Sequence, residues 1–182
     1  SDNYSRLNFI KELSRKWFLK NKLPDLLDIG SGLGIFPYSV SKIGWNCTAL
    51  DPDQNAINHM IEIGLDTFCG DFRDLRPNKK YDIITLNKVL EHLEDPIEFL
   101  KLTKLCLSES GFIYLELPDG EAALHDSPER EEFFLEHIHI FSMPSTISLI
   151  TKAGFIVHNI QRITEPSGKY TIRAIIFREK YF

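Results

Sequence analysis

Residues 26–34 read Leu-Leu-Asp-Ile-Gly-Ser-Gly-Leu-Gly, and the next apolar run ends at Asp51. A buried strand, a turn of alternating glycines and a carboxylate at the end of a second strand therefore follow one another along the chain. Glycines let the backbone approach a ligand closely, and the following helix offers free N–H groups and the positive end of its dipole. This order predicts a site for a cofactor that contains a nucleoside.

Composition and charge exclude several classes of protein. With 182 residues, of which 43% are hydrophobic and 26% charged, the chain fits a single globular domain spanning 1–182. The net charge of -5 disfavours a nucleic-acid-binding surface. The sequence has no run of about 20 apolar residues, so we expect no association with a membrane. The three cysteines form no close pair, which indicates reduced thiols in the cytoplasm and no metal site.

Apolar runs alternate with helical patterns along most of the chain. An amphipathic helix is predicted from Leu7 through Leu23, limited by Pro24. The predicted strands are 26–29, 46–50, 67–69, 82–86, 111–117, 155–163 and 170–178. The predicted helices are 35–43, 53–62, a helix from residue 96 onward, and 145–153. The turn-forming residues 165–168 make the last two strands a hairpin.

The spacing of the glycines discriminates between cofactors. A dinucleotide site requires Gly-x-Gly-x-x-Gly, but Ile35 stands where the third glycine of that pattern falls after Gly32. The carboxylate of Asp28 would repel a pyrophosphate and attract an ammonium group. The site is therefore better suited to a cofactor with an amino-acid part than to NAD.

The pattern Asp28-x-Gly30-x-Gly32-x-Gly34 resembles the first motif of the class I S-adenosylmethionine-dependent methyltransferases. The resemblance extends over most of the chain and implies S-adenosylmethionine as the cofactor. Together with the strand count, it implies an α/β fold, with a Rossmann-like, doubly wound, seven-stranded sheet. The sheet is mostly parallel with an antiparallel C-terminal hairpin, and helices cover both faces.

The resemblance also implies roles for single residues at three further strand ends. Asp51 is expected to bind both ribose hydroxyls, Asp71 to accept from the adenine amino group, and Phe72 to pack on the adenine ring. The segment around Asn87 is expected to line the site of methyl transfer. The complete set of predicted cofactor-binding residues is Asp28, Gly30, Ser31, Gly32, Gly34, Asp51, Pro52, Asp71, Phe72, Asn87, Lys88 and His92.

The segment after the fifth strand resembles a small-molecule methyltransferase subgroup with a His-x-x-x-Phe-Ser motif, here starting at His137. The resemblance implies that this segment borders the acceptor pocket, and we expect residues 118–142, the lid segment, to cover it. His137 and His139 have the i, i+2 spacing that points two side chains the same way on an extended segment. We expect His139, or with less support His137, to act as the catalytic base.

The predicted reaction is in-line transfer of a methyl group to an oxygen, nitrogen or carbon of a small-molecule acceptor, such as a sugar, a sugar nucleotide or a natural-product intermediate. The short segment before the first strand and the absence of an initiator Met predict a longer natural N-terminus, a second copy or a partner subunit that completes the pocket. Two other functions stay open at this stage: a non-catalytic S-adenosylmethionine-binding regulatory subunit and an NAD-dependent oxidoreductase.

Structural interpretations of the same residues also stay open. Asp51 can cap the helix that begins near Asp53, and Asp71 can be a turn residue. Phe72 can belong to the core, and His92 can simply pack against its neighbours.

Overall fold

A seven-stranded sheet organises the chain. The computed structural model describes residues 1–18, 23–75 and 79–179. The strands are β1 Asp25–Ile29, β2 Asn46–Asp51, β3 Asp66–Cys69, β4 Tyr81–Asn87, β5 Leu107–Pro118, β6 Phe155–Thr164 and β7 Tyr170–Arg178. The helices are α1 Asp2–Trp17, α2 Ile35–Lys42, α3 Gln54–Glu62, α4 Pro96–Leu102, α5 Gly120–Ala123 and α6 Met143–Lys152.

The strand order is β3-β2-β1-β4-β5-β7-β6. The first five strands pair in parallel, and β7 runs antiparallel to both β5 and β6. This topology confirms the predicted doubly wound sheet with an antiparallel C-terminal hairpin. Because the order reverses between β1 and β4, the loops that follow these two strands run to opposite sides and leave a crevice between them.

Helices cover both faces of the sheet because alternate residues of the buried strands point to opposite sides. On one face, Leu26 of β1 packs in a cluster with residues of α1 and α2. On the other face, Leu27 belongs to a larger cluster that includes residues of α4 and α6. The central strands are apolar on both faces, as expected for parallel strands between two helical layers.

The predicted bounds of two elements are wrong by several residues, and one short helix was not predicted. Helix α1 ends at Trp17, whereas the pattern predicted a helix through Leu23; residues 19–22 lie outside the described part of the chain. Leu23 is non-helical and exposed, consistent with the bias against helix that Pro24 imposes on the residue before it. Strand β5 begins at Leu107 instead of 111, because Leu107 pairs with Tyr81. The short helix α5 in the lid segment was not predicted.

Within the described residues, no helix is long and apolar enough to cross a bilayer. The predicted cytoplasmic location stays a prediction.

Candidate cofactor site

A cavity of about 200 Å³ opens at the carboxyl ends of β1 and β4, where the strand order reverses. This is the place at which open α/β sheets bind their ligands, because the diverging loops leave the space free. The cavity is lined by Asn3, Arg6, Asp28, Gly30, Ser31, Leu33, Ile35, Phe36 and Asn87. Four of the predicted cofactor residues therefore meet at one cavity, together with residues of α1.

The glycines of the loop after β1 are needed for two different reasons, close packing and open space for a ligand. Gly30, Gly32 and Gly34 all have positive φ angles, of 73°, 53° and 75°. A Cβ atom at Gly34 would lie 2.5 Å from Cγ of Met60, so this position is filled by the packing of α3. A Cβ atom at Gly32 would meet no atom of the described residues within 4 Å. Open space at Gly32 is what a ligand lying against the backbone requires.

Asp51 ends β2 and is held by the backbone of its own and the neighbouring loop. Its Oδ2 accepts from the Gly32 amide at 2.7 Å, and its Oδ1 accepts from the Asp53 amide at 2.9 Å. The helix cap at α3 is supplied by Asp53, whose carboxylate accepts from the Asn55 amide. The side-chain cap of α3 therefore comes from Asp53, and each oxygen of Asp51 keeps a lone pair for a ligand hydroxyl.

Asp28 lies within the sheet, at the buried end of the cavity. Its Oδ1 accepts from the Thr85 hydroxyl and, at 3.0 Å, from the Asn87 amide group. Burial raises the pKa of Asp28 to about 6. Hydrogen bonds and the charge of Arg6 lower this pKa, but their effect is smaller than that of burial. The Oδ1 of Asn87 is buried and has no hydrogen-bond partner within the described part of the chain. A carboxylate and an unpartnered amide oxygen so close together suit a ligand with several N–H donors.

Arg6 is a site residue that the sequence analysis missed. It projects from α1, lines the cavity and donates from Nε to Oε2 of Glu116 at 3.0 Å. Burial alone would raise the pKa of Glu116, but Arg6 and Arg173 together hold it below its usual value. Arg6 lies four residues before the buried Ile10, so an arginine on the apolar face of an amphipathic helix was the available signal.

The loop after β3 holds the residues predicted for adenine. The Asp71 carboxylate caps a short 3₁₀ turn and forms an ion pair with Arg73 at 2.6 Å. Phe72 is buried in the core, with its ring 5.3 Å from that of Phe99. Pro52 is exposed beside Asp51. The turn and core interpretations therefore describe real contacts of Asp71 and Phe72, and their adenine roles stay predictions.

The loop after β4 contains a strained residue. Lys88 has a φ of 60°, a conformation that costs a residue with a side chain about 1 kcal/mol. Its amide donates to the Glu116 carbonyl, and its ammonium lies 2.7 Å from Glu165. Backbone strain of this kind clusters at ligand sites, where the surrounding structure imposes it. His92, four residues on, is exposed, and its Nδ1 lies 2.9 Å from the Glu136 carbonyl.

The lid segment is fastened to this loop by its histidines. His139 donates its amide to the Glu91 carbonyl at 3.1 Å, and its Nε2 lies 2.9 Å from the Leu93 carbonyl. Because a carbonyl only accepts, Nε2 of His139 carries the proton and Nδ1 keeps its lone pair. The Nδ1 of His137 lies 3.0 Å from the Glu132 carbonyl. Both candidate bases thus have one nitrogen engaged and one available.

Glu91 is a second residue that the sequence analysis did not single out. Its side chain is completely buried, and within the described residues neither carboxylate oxygen has a hydrogen-bond partner. Burial raises the pKa of Glu91 to about 7. An acid directly before His92 was visible in the sequence, but its burial beneath the lid segment was not.

A doubly wound sheet with this strand order, a glycine loop after β1 and a carboxylate ending β2 is the fold of a class I S-adenosylmethionine-dependent methyltransferase. The chain belongs to the methyltransferase-domain family, whose sequence profile matches residues 3–160.

Curated proteins with similar sequences are O-methyltransferases of ubiquinone biosynthesis. The ubiquinone biosynthesis O-methyltransferase of Haemophilus ducreyi is 30% identical over 125 residues, which cover 62% of this chain and 51% of that protein. The chain thus spans about half the length of the curated relatives it matches.

Solved structures share the fold over nearly the whole chain. A S-adenosylmethionine-dependent methyltransferase from Clostridium acetobutylicum has a TM-score of 0.73 and 15% identity, with 95% of this chain and 90% of that chain covered. The plantazolicin methyltransferase BpumL, solved with S-adenosylhomocysteine, has a TM-score of 0.75 and 17% identity, with 98% and 85% covered.

Proposed function

We propose that this chain binds S-adenosylmethionine in the cavity between β1 and β4 and transfers its methyl group to a hydroxyl oxygen of a small-molecule acceptor. The observation that carries the proposal is that Arg6, Asp28 and Asn87 line the same cavity. An amino-acid zwitterion presents one ammonium and one carboxylate, so a buried carboxylate and a guanidinium in one cavity complement both of its charges.

The residues present fit the cofactor at each of its parts. Asp28 and the unpartnered Oδ1 of Asn87 would accept from the ammonium group, and free N–H groups of Arg6 would donate to the carboxylate. Asp51 would accept from the two ribose hydroxyls, and the open face of Gly32 would let the cofactor lie against the loop. The adenine partner that we propose is Asp71, which has to share its oxygens with Arg73.

Bound S-adenosylmethionine supplies a methyl group that is already activated by a sulfonium. The chain therefore has to position the acceptor in line, exclude water and remove one proton. We propose that Nδ1 of His139 accepts the proton of the acceptor hydroxyl. Nε2 of His139 donates its own proton to the Leu93 carbonyl, so Nδ1 is the nitrogen that is left unprotonated. The lid segment that carries His139 would exclude water from the acceptor.

Oxygen as the methylated atom rests on the curated relatives, which are named O-methyltransferases of ubiquinone biosynthesis. An apolar acceptor with a ring hydroxyl is further supported by the large hydrophobic residues that the lid segment exposes. These are Leu124, Phe134, Leu135, Ile138 and Ile140. These side chains offer few hydrogen-bond partners to a sugar nucleotide, so they favour an apolar acceptor.

Cofactor binding is tested first, by calorimetry of the chain with S-adenosylmethionine, S-adenosylhomocysteine and NAD. We expect binding of the first two and none of NAD. Tight binding of NAD alone would instead favour the oxidoreductase alternative, which finds no support in the family match. Arg6→Lys keeps the charge but not the forked geometry, and it is expected to weaken S-adenosylmethionine binding.

Turnover is tested next, by mass spectrometry of a panel of phenols, sugars, sugar nucleotides and amines. Methylation of a ring hydroxyl, lost in His139→Ala with cofactor affinity retained, is the expected result. If His139→Ala and His137→Ala both keep full turnover, neither histidine is the base. Cofactor binding without turnover on any acceptor would favour the non-catalytic regulatory subunit.

We also propose that residues 1–182 form one domain, whose pocket a second copy, a partner subunit or a longer N-terminus completes. Sedimentation of the chain with and without S-adenosylhomocysteine tests the first of these.

A further inference from the structure

Glu91, His92 and His137 meet where the lid segment crosses the loop after β4. A carboxylate oxygen of Glu91 and one ring nitrogen from each histidine all lie within 4.8 Å of one another. The two imidazole rings are 5.0 Å apart between centroids and nearly perpendicular. Two histidines and one acid from segments far apart in sequence thus point at a common space.

Glu91 makes this space unusual. It is completely buried, and neither oxygen accepts a hydrogen bond within residues 1–18, 23–75 and 79–179. A buried carboxyl without hydrogen-bond partners is costly in an apolar environment, and the cost is higher for the charged form than for the neutral one. Buried carboxyls are retained where a bound cation or a partner offsets this cost.

The histidines are prepared as ligands by their other nitrogens. Nδ1 of His92 lies 2.9 Å from the Glu136 carbonyl, and Nδ1 of His137 lies 3.0 Å from the Glu132 carbonyl. Since carbonyls only accept, each Nδ1 carries the proton and each Nε2 keeps its lone pair. Metal-binding histidines are held in this way, with the second ring N–H donated to a carbonyl or carboxylate.

We propose that Glu91, His92 and His137 bind a first-row divalent cation that cross-links the lid segment to the loop after β4. Two imidazoles and one carboxylate suit zinc or manganese better than calcium or magnesium, which prefer oxygen ligands throughout. Tetrahedral bonds of about 2.1 Å place ligand atoms roughly 3.4 Å apart, so the three side chains need to approach by no more than about 1.4 Å.

The cation would complete a connection that hydrogen bonds have begun. His92 bonds to Glu136, and His139 bonds to both Glu91 and Leu93, so three hydrogen bonds join the same two segments before the cation binds. The sequence predicts no metal site, because the ligands have none of the close spacing that zinc motifs show. Only the crossing of the two segments brings them together.

The test is calorimetric titration of the chelator-treated whole chain with zinc chloride, and with manganese and magnesium chloride for comparison. We expect one zinc per chain, and a loss of roughly tenfold or more in affinity for both Glu91→Gln and His137→Ala. His125→Ala is the matched control, because it removes an exposed histidine from the same lid segment and should leave zinc affinity unchanged.

Unaltered zinc binding by Glu91→Gln and His137→Ala would overturn the proposal, and so would an equal loss in His125→Ala. Absence of zinc binding by the wild-type chain would overturn it too. If Glu91→Gln does not fold, zinc affinity is compared in His92→Ala and His137→Ala, and unchanged affinity in both would overturn the proposal. Binding is the readout throughout, so the result is independent of whether methyl transfer is found.

A second measurement tests the cross-link itself. Phe134 and Leu135 are exposed in the lid segment and are sites for chymotrypsin. If cleavage requires the lid segment to detach, zinc at 100 times the wild-type dissociation constant should slow cleavage by up to about 100-fold in the wild type and by about 10-fold or less in His137→Ala. Equal protection of both proteins would show that the cation acts elsewhere.

Discussion

The cofactor-binding loops and the cover above them are held together in different ways. In the loops after β1 and β2, backbone amides hold the groups in place: the amides of Gly30 and Ser31 both donate to the Leu50 carbonyl, and Gly32 donates to Asp51. The cover consists of α1 and the lid segment, and it is attached by side chains together with a few backbone bonds, such as that from the His139 amide to the Glu91 carbonyl. Arg6 joins α1 to Glu116 of β5. The loops therefore form as part of the sheet, whereas the cover depends largely on individual contacts, many of them made by side chains.

This difference has a functional meaning. Groups held by backbone amides keep their geometry without the ligand, which is what a preorganised cofactor site needs. A cover attached by a few side chains can open with a local loss of contacts, which is what entry of an acceptor needs. Substitutions in the two regions are expected to have different signatures.

The largest effect, on the free energy of unfolding, is expected from Glu116→Gln, which removes the carboxylate that holds Arg6 of α1. The substitution leaves the buried guanidiniums of Arg6 and Arg173 without their carboxylate, and breaking such a pair costs about 3 to 5 kcal/mol. Urea unfolding measures the loss. Glu98→Gln is the control, because its ion pair with Lys101 is exposed and contributes at most about 0.5 kcal/mol. Equal costs for both would mean that this network does not attach α1.

Next in size is the contrast between Gly34→Ala and Gly32→Ala. At Gly34 the new methyl group meets Met60 at 2.5 Å and also requires a positive φ, so we expect a loss of about 2 to 4 kcal/mol in the free energy of unfolding. At Gly32 only the φ strain of about 1 kcal/mol applies. Gly32→Ala should instead weaken S-adenosylmethionine binding, as calorimetry will report. Similar unfolding energies for the two variants would contradict the assignment of Gly34 to packing.

A smaller effect, on binding rather than stability, is expected from Asp51→Ala. Removal of the carboxylate proposed to bind the ribose hydroxyls should weaken S-adenosylmethionine binding at least about tenfold, or 1.4 kcal/mol. Asp53→Ala provides the matched control: it removes the exposed cap of α3, costs about 1 kcal/mol of stability and should leave affinity unchanged. Unchanged affinity in Asp51→Ala would remove the ribose assignment.

The smallest effect concerns pH. Burial raises the pKa of Asp28 from 3.8 to about 6, so the folded chain binds a proton more tightly than the unfolded chain. This contribution to stability is present below about pH 4 and is lost as the pH rises through about 6. An ammonium ligand prefers the ionised acid, so affinity for S-adenosylmethionine should rise roughly fourfold from pH 5.5 to 7.5. Asp28→Asn should abolish this rise, and an equal rise in that variant would assign it to another group.

Much of the fold was predictable because its signals are local. Strand β7 was predicted with the bounds that the structure has, since turn formers at 165–168 precede it and apolar β-branched residues run through it. The three glycines and Asp51 were predicted to lie together because successive parallel strands end at the same edge of a sheet. Strand β5 was predicted too short, because its first residues pair with Tyr81 across a register shift that no local pattern records.

The cover was less predictable. Arg6 was missed because a single charge on a helix is usually solvated, and its buried partner Glu116 lies on a distant strand. Glu91 was missed because its neighbours do not show that the lid segment buries it. His137 and His139 were identified as candidates, but their hydrogen bonds to the Glu132 and Leu93 carbonyls depend on how the lid segment folds back.

Local sequence patterns were enough to predict the sheet, the position of the cofactor-binding loops and the family, because hydrophobic period, glycine spacing and strand-end carboxylates act over a few residues. The folded chain was needed to show that Arg6 and Asp28 line one cavity and that Glu91, His92 and His137 lie around one space. The physical reason is that burial and charge pairing between distant segments depend on the packed chain and leave no period in the sequence.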